Sequence, residues 1–191
     1  MAVEQLELES RPPLTVDEFE ALAEQQGWDE DTPVELLDGE LVWMSPTNDP
    51  HIGCVNRLNR LFNHRYGEAI VLVSIQNPVR ASEYDEPEPD VALLKPRADD
   101  YGTARATADD ILLLVEVSDK TLRNDLGRKA RIYASAGVSE YWVVDLNAQT
   151  VYVHRTPLDG AYRVRTVMVR GGEVSTQFAP AVSFTIDEIL G

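Results

Sequence analysis

Cysteine, histidine and long apolar runs are scarce in this chain. Cys54 stands alone, so no disulfide forms within the chain and nothing suggests a thiolate metal site. There are three histidines; His51 and His64 fall on one predicted helix but too far apart for a zinc pair, and His154 reads as an exposed strand residue. No hydrophobic run is long enough to span a bilayer, and the opening MAVEQLELES is acidic where a secretory signal is basic and apolar. A cytoplasmic protein with no membrane attachment is the expectation. Basic residues are also few: 17 Lys and Arg face 33 Asp and Glu, for a net charge of −16. Such a balance argues against nucleic acid until the charge is localised. Residues 1–50 hold fourteen acidic side chains and one basic, Arg11. The rest of the chain carries only −3, and two stretches are locally basic: His51 to Tyr66, and Asp119 to Arg131. A phosphate-facing surface outside the N-terminal fifth is therefore allowed, though not required.

What remains is ordinary globular material. With 191 residues and 43% hydrophobic content, the chain can bury one sizeable core. Residues 1–14 are expected as an irregular arm and 15–191 as a single domain. Thr15 and Glu18 form a capping box for a helix to Gln26 with Phe19, Leu22 and Ala23 inward. Val34 to Met44 is a hairpin turning at Asp38-Gly39. A second helix begins after Asp49, with Pro50 at its first position, and ends at Gly67; Ile52, Val55, Leu58 (or Asn59) and Phe62 form its apolar face. Cys54 reads as a small apolar filler. Ile70 to Ile75 and Val91 to Leu94 are strands, Glu83 to Pro89 is an acidic loop, and Lys95 to Asp109 is a long loop. Val151 to His154 and Tyr162 to Val169 alternate as antiparallel strands. Thr185 and Glu188 offer a last capping box.

The stretch from Ile111 to Leu146 organises the rest, as strand, loop, helix, turn and strand. Its first run, Ile111 to Val117, is continuous enough for a strand buried on both faces, yet Glu116 interrupts it. A carboxylate there is costly unless paired. On the following helix Leu122, Leu126 and Tyr133 share a face, and Lys129 lies within that stripe. Hairpins combined with one strand–helix–strand crossover give an α/β (α+β) class, a mixed sheet flanked by helices.

If the Val91 strand neighbours the Ile111 strand, Asp90 and Glu116 converge at one sheet end. Two hard carboxylates, a backbone carbonyl such as that of Val117, and water suit Mg2+ or Mn2+. Lys129 can then set a positive charge beside the ion, orienting water or stabilising phosphoryl charge. The blander readings stand beside this one. Asp90 can simply end a turn. Glu116 and Lys129 can form a buried ion pair without catalysis. Asp125 and Lys129 can be an ordinary i, i+4 helix pair, and Tyr133 can be core.

PEPD, LLVEVSD, the Asp125–Lys129–Tyr133 helix and GVSEYWVVD, in this order and spacing, resemble the Uma-two family of restriction-endonuclease-like proteins, within the PD-(D/E)XK nuclease superfamily. VELLDGELVWMSP followed by His51 is similar to the family's hairpin and helix start, so the resemblance runs from about residue 15 to the end. It implies a restriction-endonuclease-like fold and a metal-dependent DNA endonuclease that works as a homodimer. Asp90 matches the acid of the PD pair and Glu116 the second acid. The superfamily's lysine position is Ser118 here, and the resemblance implies that Lys129 replaces it from the helix. Glu35 matches a hairpin glutamate that assists, although Val34 stands where the family has an aromatic. Gln76, Tyr133, Asp125 and His51 match further positions without an assigned role. A non-catalytic binding or dimerisation module that retains the fold, or a hydrolase of a smaller phosphodiester, remains the alternative.

Overall fold

A computed structural model describes residues 12–28 and 32–191. Most of the expected arm over residues 1–14 lies outside the described residues. Helix α1 (Val16–Gln26) opens on the expected capping box, Thr15 accepting from the Glu18 amide while the Glu18 carboxylate takes the Thr15 N–H at 2.9 Å. Strands β1 (Val34–Leu37) and β2 (Glu40–Trp43) form the expected hairpin. Asp38 and Gly39 both have positive φ, 52° and 71°, as the tight primed turn requires.

Helix α2 (Asp49–Tyr66) is capped by Asn48, so it starts one residue before the expected position and Pro50 is its second residue. The side chain of Asn48 accepts the His51 amide, a bond that sequence reading gave to no cap. The buried face is Cys54, Val55, Leu58, Phe62 and Tyr66. Ile52 was expected there but is largely exposed, since at 100° per residue it lies outside the arc those five positions span. Short strands follow: β3 (Leu72–Ile75), β4 (Val79–Arg80), β5 (Val91–Leu94) and β6 (Ala106–Thr107). β3 starts later than its apolar run, and the expected loop over residues 95–109 contains β6, which pairs with β4.

Strand β7 (Ile111–Ser118) leads into α3 (Leu122–Asn124), a wider π-helical turn (Asp125–Lys129) and α4 (Ala130–Ser135). Then come β8 (Glu140–Asp145), β9 (Thr150–Leu158), β10 (Ala161–Val169), β11 (Glu173–Ser175), β12 (Ser183–Thr185) and α5 (Ile186–Leu190). Six strands form the central sheet in the order β10-β9-β8-β7-β5-β3. The pair β7–β8 is parallel and carries the crossover; the other neighbours are antiparallel. The sheet is therefore mixed and flanked by helices, as expected.

Alternation along the strands sends side chains to two cores. Val91, Leu113, Val115, Trp142 and Val151 pack with α2 and α5. Ala92, Leu114, Tyr141 and Val143 pack under the α3–α4 segment with Tyr133. His154 is buried rather than exposed, because β9 lies second from the sheet edge and the rings of Tyr141 and Tyr162 cover it.

Candidate active site

Strands β5 and β7 are antiparallel neighbours with Val91 opposite Val115, so Asp90, just before β5, falls beside Glu116. Register alone brings the two acids to one end of the sheet. The Asp90 carboxylate accepts the Val117 N–H at 2.8 Å, which ties the loop before β5 to the last turn of β7. From the other side of the sheet, His51 in the first turn of α2 brings Nε2 to 3.1 Å from the same carboxylate. Gln76, just beyond β3, reaches Asp90 only at 3.5 Å, while its own N–H meets the Asp90 carbonyl. Gln76 has φ of 49°, an uncommon backbone state for a residue with a Cβ.

Glu116 and Lys129 are both about 95% buried, at 4% and 5% exposure. Lys129 Nζ lies 3.0 Å from Glu116 and 3.0 Å from Glu35, which rises from the hairpin. It also donates to the Glu88 carbonyl at 3.4 Å. Tyr133 donates to the same Glu116 oxygen, Oε1, at 2.9 Å. Among the described residues no hydrogen bond falls on Glu116 Oε2. Glu35 accepts the Glu88 amide at 3.2 Å, which fixes the hairpin to the loop before Asp90. Three elements far apart in sequence thus meet at one ammonium.

Burial pushes the Glu116 carboxyl well above its ordinary range; Lys129 opposes this, and the charges of Asp90, Asp125 and Glu35 reinforce it. Burial works against the Lys129 ammonium, yet Glu116, Glu35 and Asp125 outweigh it and raise its pKa. The net direction favours the charged lysine. His51 is treated similarly: burial disfavours its charge, and Asp90, with Asp125 and Asp119 behind it, raises its pKa. Its Nδ1 is buried without a hydrogen-bond partner among the described residues. Burial, then the charges of Glu35 and Asp90, raises Glu88.

The π-helical turn changes one expectation. Asp125 and Lys129 do not form the i, i+4 pair, because the wider turn takes them out of vertical register. Asp125 instead accepts from Ser118 at 2.6 Å and from Thr121. Ser118, which occupies the superfamily's lysine position, is thus engaged in anchoring the helix start. Lys129 is delivered to Glu116 from the next turn.

These groups lie at the floor of a cleft of about 1130 Å³ whose walls come from the hairpin, the start of α2 and the α3–α4 segment. Among the described residues no cluster of three His, Cys, Asp or Glu is arranged to enclose a metal. The donor chemistry nonetheless fits a hard divalent cation. Asp90 and Glu116 supply oxygen, Glu116 keeps one oxygen without a hydrogen bond, and the surrounding carboxylates outnumber the one ammonium. Mg2+ commonly binds through one or two carboxylates and keeps several waters, so a third protein acid is not required.

Of the residues singled out from sequence, Asp90, Glu116, Lys129, Glu35 and Tyr133 are brought together, and Gln76 sits at the margin. Val117 takes part through its N–H. Sequence reasoning gave no role to His51 or Glu88. The only signal for Glu88 was its place in the PEPD run, and His51 was visible as a polar residue in a helix start and as a matched family position without a role.

None of the curated proteins matches this chain. A crystal structure of a "putative nuclease belonging to DUF820" from Anabaena variabilis ATCC 29413 is similar to it, with a TM-score of 0.72 and 17% identity, covering 93% of this chain and 98% of that one. At that identity the likeness is one of fold. A family model described as "Putative restriction endonuclease" matches residues 16–187, from the first residue of α1 into α5. Every cleft residue discussed above falls within those bounds, and the chain belongs to the Uma2 family.

Proposed function

We propose that this protein is a metal-dependent DNA endonuclease, with residues 15–191 acting as one domain in the cytoplasm. The observation that carries the reading is the buried Lys129 held between Glu35 and Glu116, with Asp90 at the adjoining strand end. A lysine buried among carboxylates at the floor of an open cleft is unusual for a purely structural pair, because water-facing packing would satisfy the same charges at lower desolvation cost. The family's description and the nuclease named among its structural relatives point the same way.

In this reading Asp90, Glu116 and the Val117 carbonyl hold Mg2+ or Mn2+. Such an ion, when bound, draws charge from the scissile phosphate and makes coordinated water more acidic. Hydrolysis adds water oxygen to phosphorus and releases one ester oxygen, which takes up a proton. Lys129 is assigned no role as base, since Glu116 and Glu35 favour its charged form. It orients the incoming water or phosphate and offsets negative charge at the pentacovalent stage. Glu35 and Tyr133 position it, Glu35 by the ion pair and Tyr133 by sharing Glu116 Oε1. Gln76 and His51 hold Asp90 in place.

Plasmid and single-stranded DNA incubated with Mg2+ or Mn2+ test the reading, against a chelator and Glu116→Gln. Cleavage that disappears in both controls supports it. Cleavage that survives Glu116→Gln, or none on either substrate, overturns it. The second reading, a binding or dimerisation module, is favoured by one feature. Strand β10 is a sheet edge with Val164, Val167 and Val169 exposed, next to exposed Leu158. The expected homodimer forms part of the nuclease reading too, and sedimentation measures it directly.

A further inference from the structure

We infer that the cleft takes an unpaired nucleic-acid strand, with Lys120 and Arg123 on its phosphates and a base stacked on Trp43. The inference rests on the nuclease reading and names its substrate class. Two independent observations lead to it.

The first is charge. Acids outnumber bases in this chain, and nearly every described cation is engaged. Arg128, for example, is held by Asp38 and Glu40, and Arg105 by Glu20 and Glu86. Among the described residues only Arg60, Lys120 and Arg123 make no hydrogen bond, ion pair or ring contact. Two of those three, Lys120 and Arg123, line the cleft, both exposed. They stand in the loop and first turn after β7, beyond the acids at the cleft floor. Free cations flanking an acidic centre suit a polyanion that must approach carboxylates: the flanks attract the neighbouring phosphates while the centre handles one.

The second is an aromatic surface. Trp43, the last residue of β2, is 62% exposed and lines the same cleft. Among the described residues its one ring contact is an edge contact with Trp28, at 5.9 Å between centroids. An indole left this open inside a cleft presents a flat apolar face on which a planar ring can stack. Inside a duplex every base already stacks on its neighbours and offers no free face. A single strand, or an end with an unpaired base, does offer one, and base–aromatic stacking tolerates any sequence. Trp43 on the hairpin and Lys120 and Arg123 after β7 line one cleft, so a strand lying in it can meet both.

The test uses the full chain and a fluorescein-labelled oligothymidylate of about a dozen nucleotides, against a blunt hairpin duplex of equal charge, without divalent metal. Anisotropy gives affinity, and intrinsic tryptophan emission reports stacking. Wild type is expected to prefer the single strand. Trp43→Ala should weaken its binding about five-fold or more, from the stacking energy of one base, and Trp43→Phe should retain most of it. Duplex binding should change less than about two-fold in either variant. Emission quenched by the oligonucleotide in wild type should be lost in Trp43→Phe, although Trp28 and Trp142 remain. The Lys120→Ala/Arg123→Ala pair should lower the slope of log affinity against log salt by about 1.4, two single-strand phosphate contacts. No single-strand binding, equal loss on both ligands in Trp43→Ala, or an unchanged salt slope overturns the inference. Failure of the nuclease reading is separate: binding with this pattern but no metal-dependent cleavage leaves the groove assigned and removes only the chemistry. Conversely, Glu116-dependent cleavage at full rate in Trp43→Ala keeps the chemistry and removes the stacking site.

Discussion

At the scale of single residues, Lys129 does structural and chemical work with one ammonium. Its two carboxylate partners are as buried as it is, so removing it leaves Glu35 and Glu116 facing each other without a cation. Breaking a buried ion pair from one side costs roughly 3–5 kcal/mol, about 6–20 °C of melting temperature in a domain of this size. Lys129→Met should show that loss in a thermal melt. Glu116→Gln should lose much less, because its amide oxygen still accepts from Lys129 and Tyr133. A Lys129→Met protein that melts with wild type would mean that the ammonium is not what holds these acids together. The contrast also decides how activity is read: Glu116→Gln tests chemistry in a folded protein, and Lys129→Met does not. Glu116 and Lys129 were legible in sequence for a simple reason. Each is a charge inside an apolar pattern, and burying a charge demands a partner. His51 carried no such mark, since a polar residue in a first helical turn is common and its partner, Asp90, lies 39 residues away.

The elements that carry the site were legible to different degrees. The hairpin was plain, because Asp38-Gly39 is almost the only chemistry that a turn with two positive φ values accepts. The crossover from β7 to β8 followed from its apolar runs and the length between them. The π-helical turn left no trace, because Leu122, Leu126, Lys129 and Tyr133 fit an ordinary helical period. Only tertiary contacts, Asp125 drawn to Ser118 and Thr121, expose the widened turn. The Lys95–Asp109 segment likewise hid β6, since two-residue strands carry no period. The hairpin is bound to the π turn by Arg128, which meets Asp38, Glu40 and the Leu37 carbonyl. Strain at its tip should therefore reach Glu35. Gly39→Ala makes that strain: φ is 71°, and the new Cβ would come within 2.3 Å of the Pro13 Cβ. The backbone penalty alone is about 1–2 kcal/mol, before any clash. We expect the melting temperature to fall by about 2–8 °C and amide exchange at Leu36 and Leu37 to quicken. Unchanged exchange there would separate the turn from the site.

For the whole molecule, the acidity of the first fifty residues is partly absorbed by later basic ones, as Asp17 pairs with Arg80 and Glu20 with Arg105. Two buried titratable groups away from the cleft then give stability opposite dependences on pH. His154 lies between aromatic rings, and burial first, then the charge of Arg165, lowers its pKa to about 4. A depressed histidine is neutral in the folded chain and charged in the unfolded one over this window. Its contribution is present above about pH 6.5 and lost as pH falls toward 4. Glu86 runs the other way. Burial raises it to about 7, Arg105 opposing, and although Arg105 Nε lies 2.6 Å from its Oε1, the contact misses hydrogen-bond geometry. A raised carboxyl contributes stability below about pH 4.5 and loses it as pH rises through 7. Melting curves across this range should therefore differ between variants in opposite directions. His154→Phe, which keeps a ring between Tyr141 and Tyr162, should lose less stability than wild type on acidification from about pH 6.5 to 5. Glu86→Gln should lose less on going from about pH 6 to 8, since its amide never ionises in that apolar place. Parallel curves for all three proteins would mean that neither group titrates out of its ordinary range.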